Sequence, residues 1–458
     1  MVKRTLFTLL LALLALLALS LLALFTLWRQ EGVTPRQLPS AVGLATGLGA
    51  KLACSGRYLS GFDWARIESD VAQYSEATRM LRYSELDPAG VSARLPAVPA
   101  AVARYREGLG CTLEFDGTHT LDRVDVPAFP ADPQDPWPRG AGIGMPVPAL
   151  QSVAAEMVVS DNAAGLDTRA LLLVYRGRIA AEAYGPGITR KTPLLGWSMG
   201  KSVTAMMVGR LEAMGLASVG EQALFAPWRD DERAQVSLQD LLQMSSGLAF
   251  DEEYVPGSDS VHMLFMSPSA ASVAMEKPLV HAPGSHFSYS SGTTNLLSRL
   301  VFERVGRTPQ AQADFFFHEF VEPMQLEGTI LEPDQSGVYV GSSYVYAPAR
   351  DWARFGLVML DGGRINGQRL LEPDWVRRAT APNRSDNDPR YGYQFWLNDG
   401  GAELRWPSLP RDAYAMLGNR KQVVMIVPSR QAVIVRLGWS PGDYPEDSNF
   451  ARLLEALP

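Results

Sequence analysis

Two pairs of strand-like segments lie at opposite ends of the region 150–458, and they constrain its fold more than any other feature of the sequence. Near the start of this region, residues 169–175 and 178–184 flank an Arg-Gly dipeptide and have the pattern of a β-hairpin. Near its end, residues 422–427 and 432–437 form continuous apolar runs, which are typical of strands buried on both faces.

The sequence between the two pairs has mostly helical patterning. The most regular predicted helices are residues 202–216, 237–244 and 349–360. We therefore predict an α+β fold, in which an antiparallel sheet formed from both ends of the domain is flanked by helices and carries a mostly helical inserted lobe.

The composition excludes two broad classes of protein. Of the 458 residues, 47% are hydrophobic and 20% are charged, so the chain has enough apolar material for a core and is not disordered as a whole. The net charge of -7 arises from 42 basic and 49 acidic residues without a long run of either sign. A nucleic-acid-binding protein is expected to be more basic, so we predict no nucleic-acid partner.

The N-terminal segment differs from the rest of the chain. Residues 6–28 carry no charge across 23 positions and follow Lys3 and Arg4. As a helix this run would span about 34 Å, enough to cross a bilayer core of about 30 Å. We predict an uncleaved signal anchor at residues 1–30, a single pass through the cell inner membrane, with the remaining chain in the periplasm. A cleaved signal peptide, which would give a secreted protein, is the alternative.

Seven prolines between residues 127 and 148 divide the exported part of the chain. Proline at this density cannot continue a helix or a central strand, because it fixes φ and lacks a backbone N–H. We predict an N-terminal extension at residues 31–126, a proline-rich connector at 127–149 and a main domain at 150–458.

The cysteines and histidines indicate which disulfides and metal sites the chain can form. Cys54 and Cys111 are the only cysteines, and in an oxidising compartment they are expected to form a disulfide, with two buried thiols as the alternative. The five histidines form no HExxH motif, and the cysteines form no CxxC pair. We predict no metal site.

The chemistry is concentrated in residues 196–202, where Ser198 and Lys201 form an S-x-x-K motif. A serine at a helix N-terminus and a lysine three residues later lie on one face of the helix. Lysine is a poor base at its free pKa of about 10.4, but burial lowers that pKa and allows it to help remove the serine proton. The alternative without chemistry makes Ser198 a helix cap and Lys201 a solvated lysine.

A second motif overlaps the first. Gly196, Ser198 and Gly200 form G-x-S-x-G, which in α/β-hydrolases follows a buried strand and is completed by an acid and a histidine. The preceding residues 189–193 read as a loop, so this interpretation is the weaker one.

A third element follows about 90 residues later, at Tyr289 and Ser291. They come after a Pro-Gly dipeptide and are therefore expected at a turn. The Tyr289 phenol at such a turn can hydrogen-bond Ser198 and transfer its proton, and Ser291 would point into the same cleft. Considered alone, Tyr289 is more readily interpreted as a core aromatic residue, and its pairing with Ser198 and Lys201 is what favours the catalytic interpretation.

Several segments in this order resemble the penicillin-recognising serine hydrolases. The likeness is closer to the class C β-lactamase-like branch, with its esterases, D-amino-acid peptidases and 6-aminohexanoate-oligomer (nylon-oligomer) hydrolases. The segments that carry it are residues 197–204, 241–248 with 250–254, 289–292, 350–356 and 435–438. The resemblance covers residues 150–440 and implies a β-lactamase/DD-peptidase-like fold without a cofactor.

The resemblance also implies roles for the matching residues. Ser198 would be the acylated nucleophile, Lys201 its activator, Tyr289 the general base and later acid, and Ser291 a residue that tunes proton transfer or contacts substrate. The family's third motif, usually K-T-G or H-x-G, corresponds to residues 418–422. Its candidate substrate-binding and oxyanion-hole residues are Asn419, Arg420, Lys421 and Gln422. Here Asn419 replaces the expected Lys or His, and Arg420 or Lys421 occupies the position of a small residue.

These observations predict a serine hydrolase that cleaves a small ester, amide or short peptide through an acyl-enzyme, with β-lactams disfavoured by the altered third motif. A non-catalytic sensor or binding module on the same fold is the alternative that this motif favours.

Overall fold

The computed structural model describes residues 34, 36–116, 120–129, 135–140, 142 and 146–458. The predicted anchor at residues 1–30 lies outside these ranges. Within them, no helix combines the length and the apolar character needed to cross a membrane.

Helices of the described residues alternate with short and long strands. The helices are α1 (Leu38–Tyr58), α2 (Trp64–Ala72), α3 (Glu76–Arg79), α4 (Pro148–Ala163), α5 (Met199–Ala213), α6 (Leu238–Leu242), α7 (Asp259–Phe265), α8 (Ala270–Met275), α9 (Ser291–Val305), α10 (Pro309–Phe316), α11 (Glu322–Met324), α12 (Ala349–Leu360), α13 (Pro373–Ala379) and α14 (Glu446–Glu455). The strands are β1 (Arg82–Leu86), β2 (Gly90–Arg94), β3 (Ala101–Arg106), β4 (Gly110–Glu114), β5 (Thr168–Tyr175), β6 (Arg178–Tyr184), β7 (Leu194–Leu195), β8 (Ile330–Leu331), β9 (Val345–Ala347), β10 (Arg364–Ile365), β11 (Gln368–Arg369), β12 (Trp396–Leu397), β13 (Tyr414–Gly418), β14 (Gln422–Val427) and β15 (Ala432–Gly438).

A six-stranded antiparallel sheet joins the two ends of the main domain, as predicted. Its order is β12-β13-β14-β15-β5-β6, so the C-terminal hairpin β14–β15 pairs directly with the N-terminal hairpin β5–β6. Val433 of β15 lies opposite Val174 of β5. The α+β prediction is therefore confirmed.

Both faces of this sheet are covered, which explains its continuous apolar strands. Successive residues of β14 point to opposite faces: Val424 and Ile426 join the core that contains α5 and α12. Val423 and Met425 join a second core that contains α4 and α14. A strand buried on both faces is not expected to alternate polar and apolar residues.

The helices predicted from sequence form, with shifted ends. The first, α5, begins three residues before the predicted position because Ser198 is its N-cap. The second, α6, is capped by Ser237, whose side chain accepts a hydrogen bond from the Asp240 N–H, and the chain turns to positive φ at Met244. The third, α12, has the predicted bounds.

The N-terminal extension packs against the main domain. Strands β1–β4 form a separate antiparallel sheet, and α1 is buried between it and the main domain along residues 45–56. Cys54 of α1 forms a disulfide with Cys111 of β4, the predicted pairing. Gly47 of α1 lies so close to the Phe265 carbonyl that a Cβ would approach it to 2.5 Å, which only glycine allows.

A buried ion pair joins α1 to the main domain. The Lys51 ammonium contacts the Glu332 carboxylate, and both side chains are buried. The same carboxylate accepts hydrogen bonds from the Ser55 hydroxyl at 2.7 Å and the Cys111 N–H at 2.6 Å. Removal of one partner would leave the other charge buried and uncompensated.

We therefore expect Glu332→Gln to lower the free energy of unfolding by about 3–5 kcal/mol, measured by chemical denaturation, because it strands the Lys51 charge. The matched control is Arg57→Gln on the same helix, which removes an exposed ion pair with Glu85 and is expected to cost less than about 1 kcal/mol. Equal effects of the two substitutions would contradict this account.

Candidate active site

Ser198 lies at the start of α5, after a strained turn. Trp197 has a φ of +48°, a conformation that is costly for a bulky residue and that clusters at functional sites. The turn is fixed by close packing, since a Cβ on Gly196 would meet the Trp352 ring at 2.2 Å and one on Gly200 would meet the Gly341 carbonyl at 2.6 Å. The glycines of G-x-S-x-G are therefore required by packing.

The α/β-hydrolase alternative is wrong for this chain. The strand before Ser198 is the two-residue β7, which pairs antiparallel with β9 outside the central sheet. A nucleophile elbow instead follows a strand of a mostly parallel central sheet. Within the part of the chain that is described, the side-chain contacts of Ser198 are with Lys201 and Tyr289, and no histidine is among them.

The Lys201 side chain is buried beside Ser198. Its amine lies 3.0 Å from the Ser198 hydroxyl, 2.8 Å from the Ser291 hydroxyl and 3.2 Å from the Ser342 carbonyl. Burial lowers the pKa of Lys201 from 10.5 to about 8, and the charge of Glu252 opposes the shift. The shift raises the neutral fraction of the amine far above that of a free lysine, although the protonated form still predominates below pH 8.

The three contacts of Lys201 can be made by the protonated ammonium, which donates to all three oxygens, and also by the neutral amine. Such an amine has two N–H donors and one lone pair. The Ser342 carbonyl can only accept, and the Ser291 hydroxyl accepts from Lys201 while it donates to Glu252 Oε1 at 2.5 Å. The lone pair is thus left to receive the Ser198 O–H proton.

Glu252 completes the hydrogen-bond network of Lys201 and Ser291, and the sequence analysis did not identify it as a site residue. Its carboxylate accepts from both the hydroxyl and the backbone N–H of Ser291, the first residue of α9. A Cβ on Gly292 would meet the Phe250 ring at 2.4 Å, so the glycine lets the loop that carries Glu252 approach α9. An Asp-Glu-Glu run resembles a solvated face, and only the association with Phe250–Tyr254 in the family likeness pointed to this loop.

Tyr289 is the second side chain in contact with Ser198. Burial raises the pKa of its phenol well above the ordinary value of 10, and a hydrogen bond with Ser198 opposes the shift. The ring stacks on Trp396 with centroids 5.2 Å apart, meets Tyr391 edge-on at 6.0 Å, and lies 4.8 Å from the Lys201 amine. Tyr289 is therefore a protonated phenol near neutral pH, held rigidly against the nucleophile.

Residues 419–422 lie near this centre but make their contacts elsewhere. The buried Gln422 amide donates to the Gly438 carbonyl and its oxygen accepts from the Gly438 N–H at 3.0 Å, so it braces two strands. Lys421 pairs with Asp443 at 2.9 Å, and Arg420 packs on Tyr74. Asn419 is exposed and accepts a hydrogen bond from the Arg420 N–H.

The small residue beside the nucleophile turn is Gly418, the last residue of β13, rather than position 420 or 421. A Cβ at Gly418 would lie 2.1 Å from the Gly196 carbonyl, so only glycine fits. The bulk of Arg420 and Lys421 points toward Tyr74 and Asp443 instead. The close approach to the nucleophile turn is therefore made by Gly418, and the side chains of Arg420 and Lys421 do not occupy the space next to Gly196.

No cluster of three or more potential metal ligands occurs among the described residues. His281 and His286 stack on each other with centroids 4.2 Å apart, in the loop that precedes Tyr289.

Comparison with known proteins places this geometry in a family. The model of the family described as beta-lactamase matches residues 155–456. The 6-aminohexanoate-dimer hydrolase of Paenarthrobacter ureafaciens is 23% identical over 329 residues, which cover 68% of this chain and 80% of that protein.

Two solved structures share the fold. A Bacillus anthracis protein described as a 6-aminohexanoate-dimer hydrolase superposes with a TM-score of 0.58 at 19% identity, over 73% of this chain and 91% of that one. A family VIII carboxylesterase superposes with a TM-score of 0.52 at 15% identity, over 68% and 98% of the two chains.

The lowered pKa of Lys201 predicts how Ser198 reactivity depends on pH. We expect the rate of Ser198 labelling by a fluorophosphonate to rise with pH through a midpoint near 8 and then level off, because only the neutral amine accepts the serine proton. Glu252→Gln removes the charge that raises this pKa, so the midpoint moves to lower pH.

The matched control is Glu253→Gln, which removes one charge from an exposed neighbouring side chain and is expected to leave the midpoint in place. A wild-type midpoint near 10.5, or equal shifts for the two variants, would contradict the role given to the buried amine.

Proposed function

The chain belongs to the beta-lactamase family, and from this premise we propose that it hydrolyses ester or amide bonds through an acyl-enzyme on Ser198. Its family and its hydrolase relatives make it a serine hydrolase. The observation that carries the assignment of residues is the buried Lys201 amine, which lies 3.0 Å from the Ser198 hydroxyl and whose pKa is lowered by burial to about 8.

Acylation uses this amine as the base. The Ser198 oxygen attacks the substrate carbonyl while its proton passes to Lys201, and the carbonyl oxygen gains the negative charge. The backbone N–H of Ser198, at the positive end of α5, is placed to stabilise that oxyanion. The Tyr289 phenol donates its proton to the leaving oxygen or nitrogen and recovers one from Lys201, and the carbonyl–leaving-group bond breaks.

Deacylation reverses these roles with water as the nucleophile. Water attacks the Ser198 ester, its proton passes to the same Lys201–Tyr289 pair, and Ser198 leaves with a proton. We propose the basic role for Lys201 and a donor and relay role for the Tyr289 phenol, which the lowered pKa of Lys201 and the raised pKa of Tyr289 support. This differs from the family-based expectation, in which Tyr289 was the general base.

The substrate class we propose is a small linear amide or ester. The relatives described as 6-aminohexanoate-dimer hydrolase and family VIII carboxylesterase support it. We also propose that the protein acts outside the cytoplasm, anchored in the inner membrane through residues 1–30. The uncharged run 6–28 and the Cys54–Cys111 disulfide support this location.

The test combines covalent labelling with turnover. We expect fluorophosphonate labelling and hydrolysis of p-nitrophenyl esters in the wild type. Ser198→Ala is expected to abolish labelling, and Lys201→Ala to lower kcat/KM by about a thousandfold or more, since residues that act as one catalytic unit show effects of this size.

Two exposed residues supply matched controls, Ser218→Ala and Lys191→Ala, which are expected to behave as wild type. The proposal fails if the wild type neither labels nor hydrolyses any of a panel of p-nitrophenyl esters and short linear amides, the 6-aminohexanoate dimer among them.

A further inference from the structure

The Tyr289 ring packs on a tryptophan that is itself only partly enclosed. The Tyr289 and Trp396 rings stack with centroids 5.2 Å apart and an interplanar angle of 28°. Trp396 belongs to β12, a two-residue edge strand of the central sheet, and its side chain is only partly buried. The Tyr289 phenol is therefore held only as firmly as the tryptophan on which it packs.

Arg405 covers the Trp396 ring. The central carbon of its guanidinium lies 4.4 Å from the centroid of that ring, within the range of a cation–π contact. The carboxylate of Asp388 is 3.8 Å from Arg405 and has a closer partner in Arg390, at 3.2 Å. The tryptophan ring is thus the main partner of the Arg405 guanidinium.

The surroundings of Arg405 do not favour its charge. The Nε atom is buried and has no hydrogen-bond partner among the described residues. Burial lowers the pKa of Arg405 below its ordinary value, and the nearby charge of Arg390 lowers it further. Because a buried N–H without an acceptor destabilises a fold, this arrangement indicates a role for the cation other than stabilisation.

Asn387 fixes the backbone in front of Tyr289. Its side-chain oxygen accepts a hydrogen bond from the Phe287 N–H, and its side-chain nitrogen donates to the Phe287 carbonyl, both at 2.8 Å. The Phe287 ring packs in turn against Tyr391 at 5.1 Å and Trp396 at 6.2 Å. Since Asn387 is exposed, its amide contributes these hydrogen bonds without filling a core.

From these contacts we propose that Arg405 and Asn387 are positioning residues for the proton donor Tyr289. Arg405 holds the Trp396 ring on which the phenol is stacked, and Asn387 holds the chain two residues before it. A donor must stay within hydrogen-bond reach of the leaving group, and a misplacement of about 1 Å can lower a rate about a hundredfold. The inference rests on the proposed hydrolase function and adds two residues to it.

The test uses two substrates that differ in their need for a proton donor. The p-nitrophenolate ion leaves without a proton, whereas the more basic phenolate ion gains from protonation by Tyr289. The readout is the ratio of kcat/KM for a phenyl ester to kcat/KM for the p-nitrophenyl ester of the same acid, measured on the full-length protein. The acid is the one that the wild type hydrolyses best. An anilide and its p-nitroanilide replace the esters if only amides are hydrolysed.

Tyr289→Phe removes the donor and is expected to lower this ratio by about a hundredfold. Arg405→Met keeps the length of the side chain without its charge, and we expect the ratio to fall by about tenfold. Arg405→Lys keeps a cation over the ring and is expected to stay within about threefold of the wild-type ratio. Asn387→Ala is expected to lower the ratio by about threefold or more.

Two further measurements separate positioning from a general loss of structure. Arg405→Met in the Tyr289→Phe background is expected to cause no further fall of the ratio, because the donor is already absent. The matched controls are Arg411→Met, which removes an exposed ion pair with Asp399, and Asp386→Ala, which changes an exposed neighbour of Asn387. Both are expected to keep the wild-type ratio.

The outcomes distinguish the two proposals. An unchanged ratio in Arg405→Met or Asn387→Ala, an equal loss for both substrates, or a further fall in the Tyr289→Phe background refutes the positioning role. A wild type that is labelled at Ser198 but hydrolyses only the p-nitro substrate, or neither one, has no working donor. The positioning role then fails and the assignment of Ser198 stands. If the wild type is neither labelled nor active, both proposals fail.

Discussion

Burial of the Lys201 amine between α5, α9 and the Ser342 carbonyl is the constraint on which the rest of the site depends. In water this group would be protonated at neutral pH and useless as a base. Ser291 stands between Lys201 and Glu252, so the carboxylate acts on the amine through a hydroxyl group rather than as a direct ion-pair partner. Lys51, the other fully buried lysine among the described residues, pairs directly with Glu332 and joins two parts of the fold instead. A buried lysine thus stabilises the fold where it pairs with a carboxylate, as Lys51 does, and supports catalysis where it contacts hydroxyl groups, as Lys201 does.

The features that the sequence could predict are those encoded locally. Two apolar strand pairs determined the central sheet, because a strand covered on both faces needs apolar residues at every position. Ser198 and Lys201 are three residues apart on one helix, so their proximity follows from helix geometry alone. Tyr289 was identified only through its combination with them.

The features that the sequence could not predict depend on contacts between distant segments. Glu252 reads as part of a solvated acidic run until the loop that carries it is seen to pack on Gly292. Gln422 looked like a substrate ligand, but its amide is used in the sheet. Gly418 makes the close approach that had been expected at position 420 or 421, and no local pattern reveals it because the carbonyl that it approaches belongs to Gly196, far away in the chain.

The contact between Gln73 and Arg420 joins positions separated by 347 residues, and Trp439 donates its indole N–H to the Asp70 carbonyl across a similar distance. Residues 70–73 are synthesised early, but these two contacts form only after residues 420 and 439 have been synthesised. Until residues near 440 have left the ribosome, Gln73 and the Asp70 carbonyl lack these two partners, although Asp70 can already pair with Arg169. A prematurely terminated chain that ends before β13 contains the complete S-x-x-K helix and still lacks three of the six strands of the central sheet, so the fold that surrounds Ser198 is completed late in synthesis.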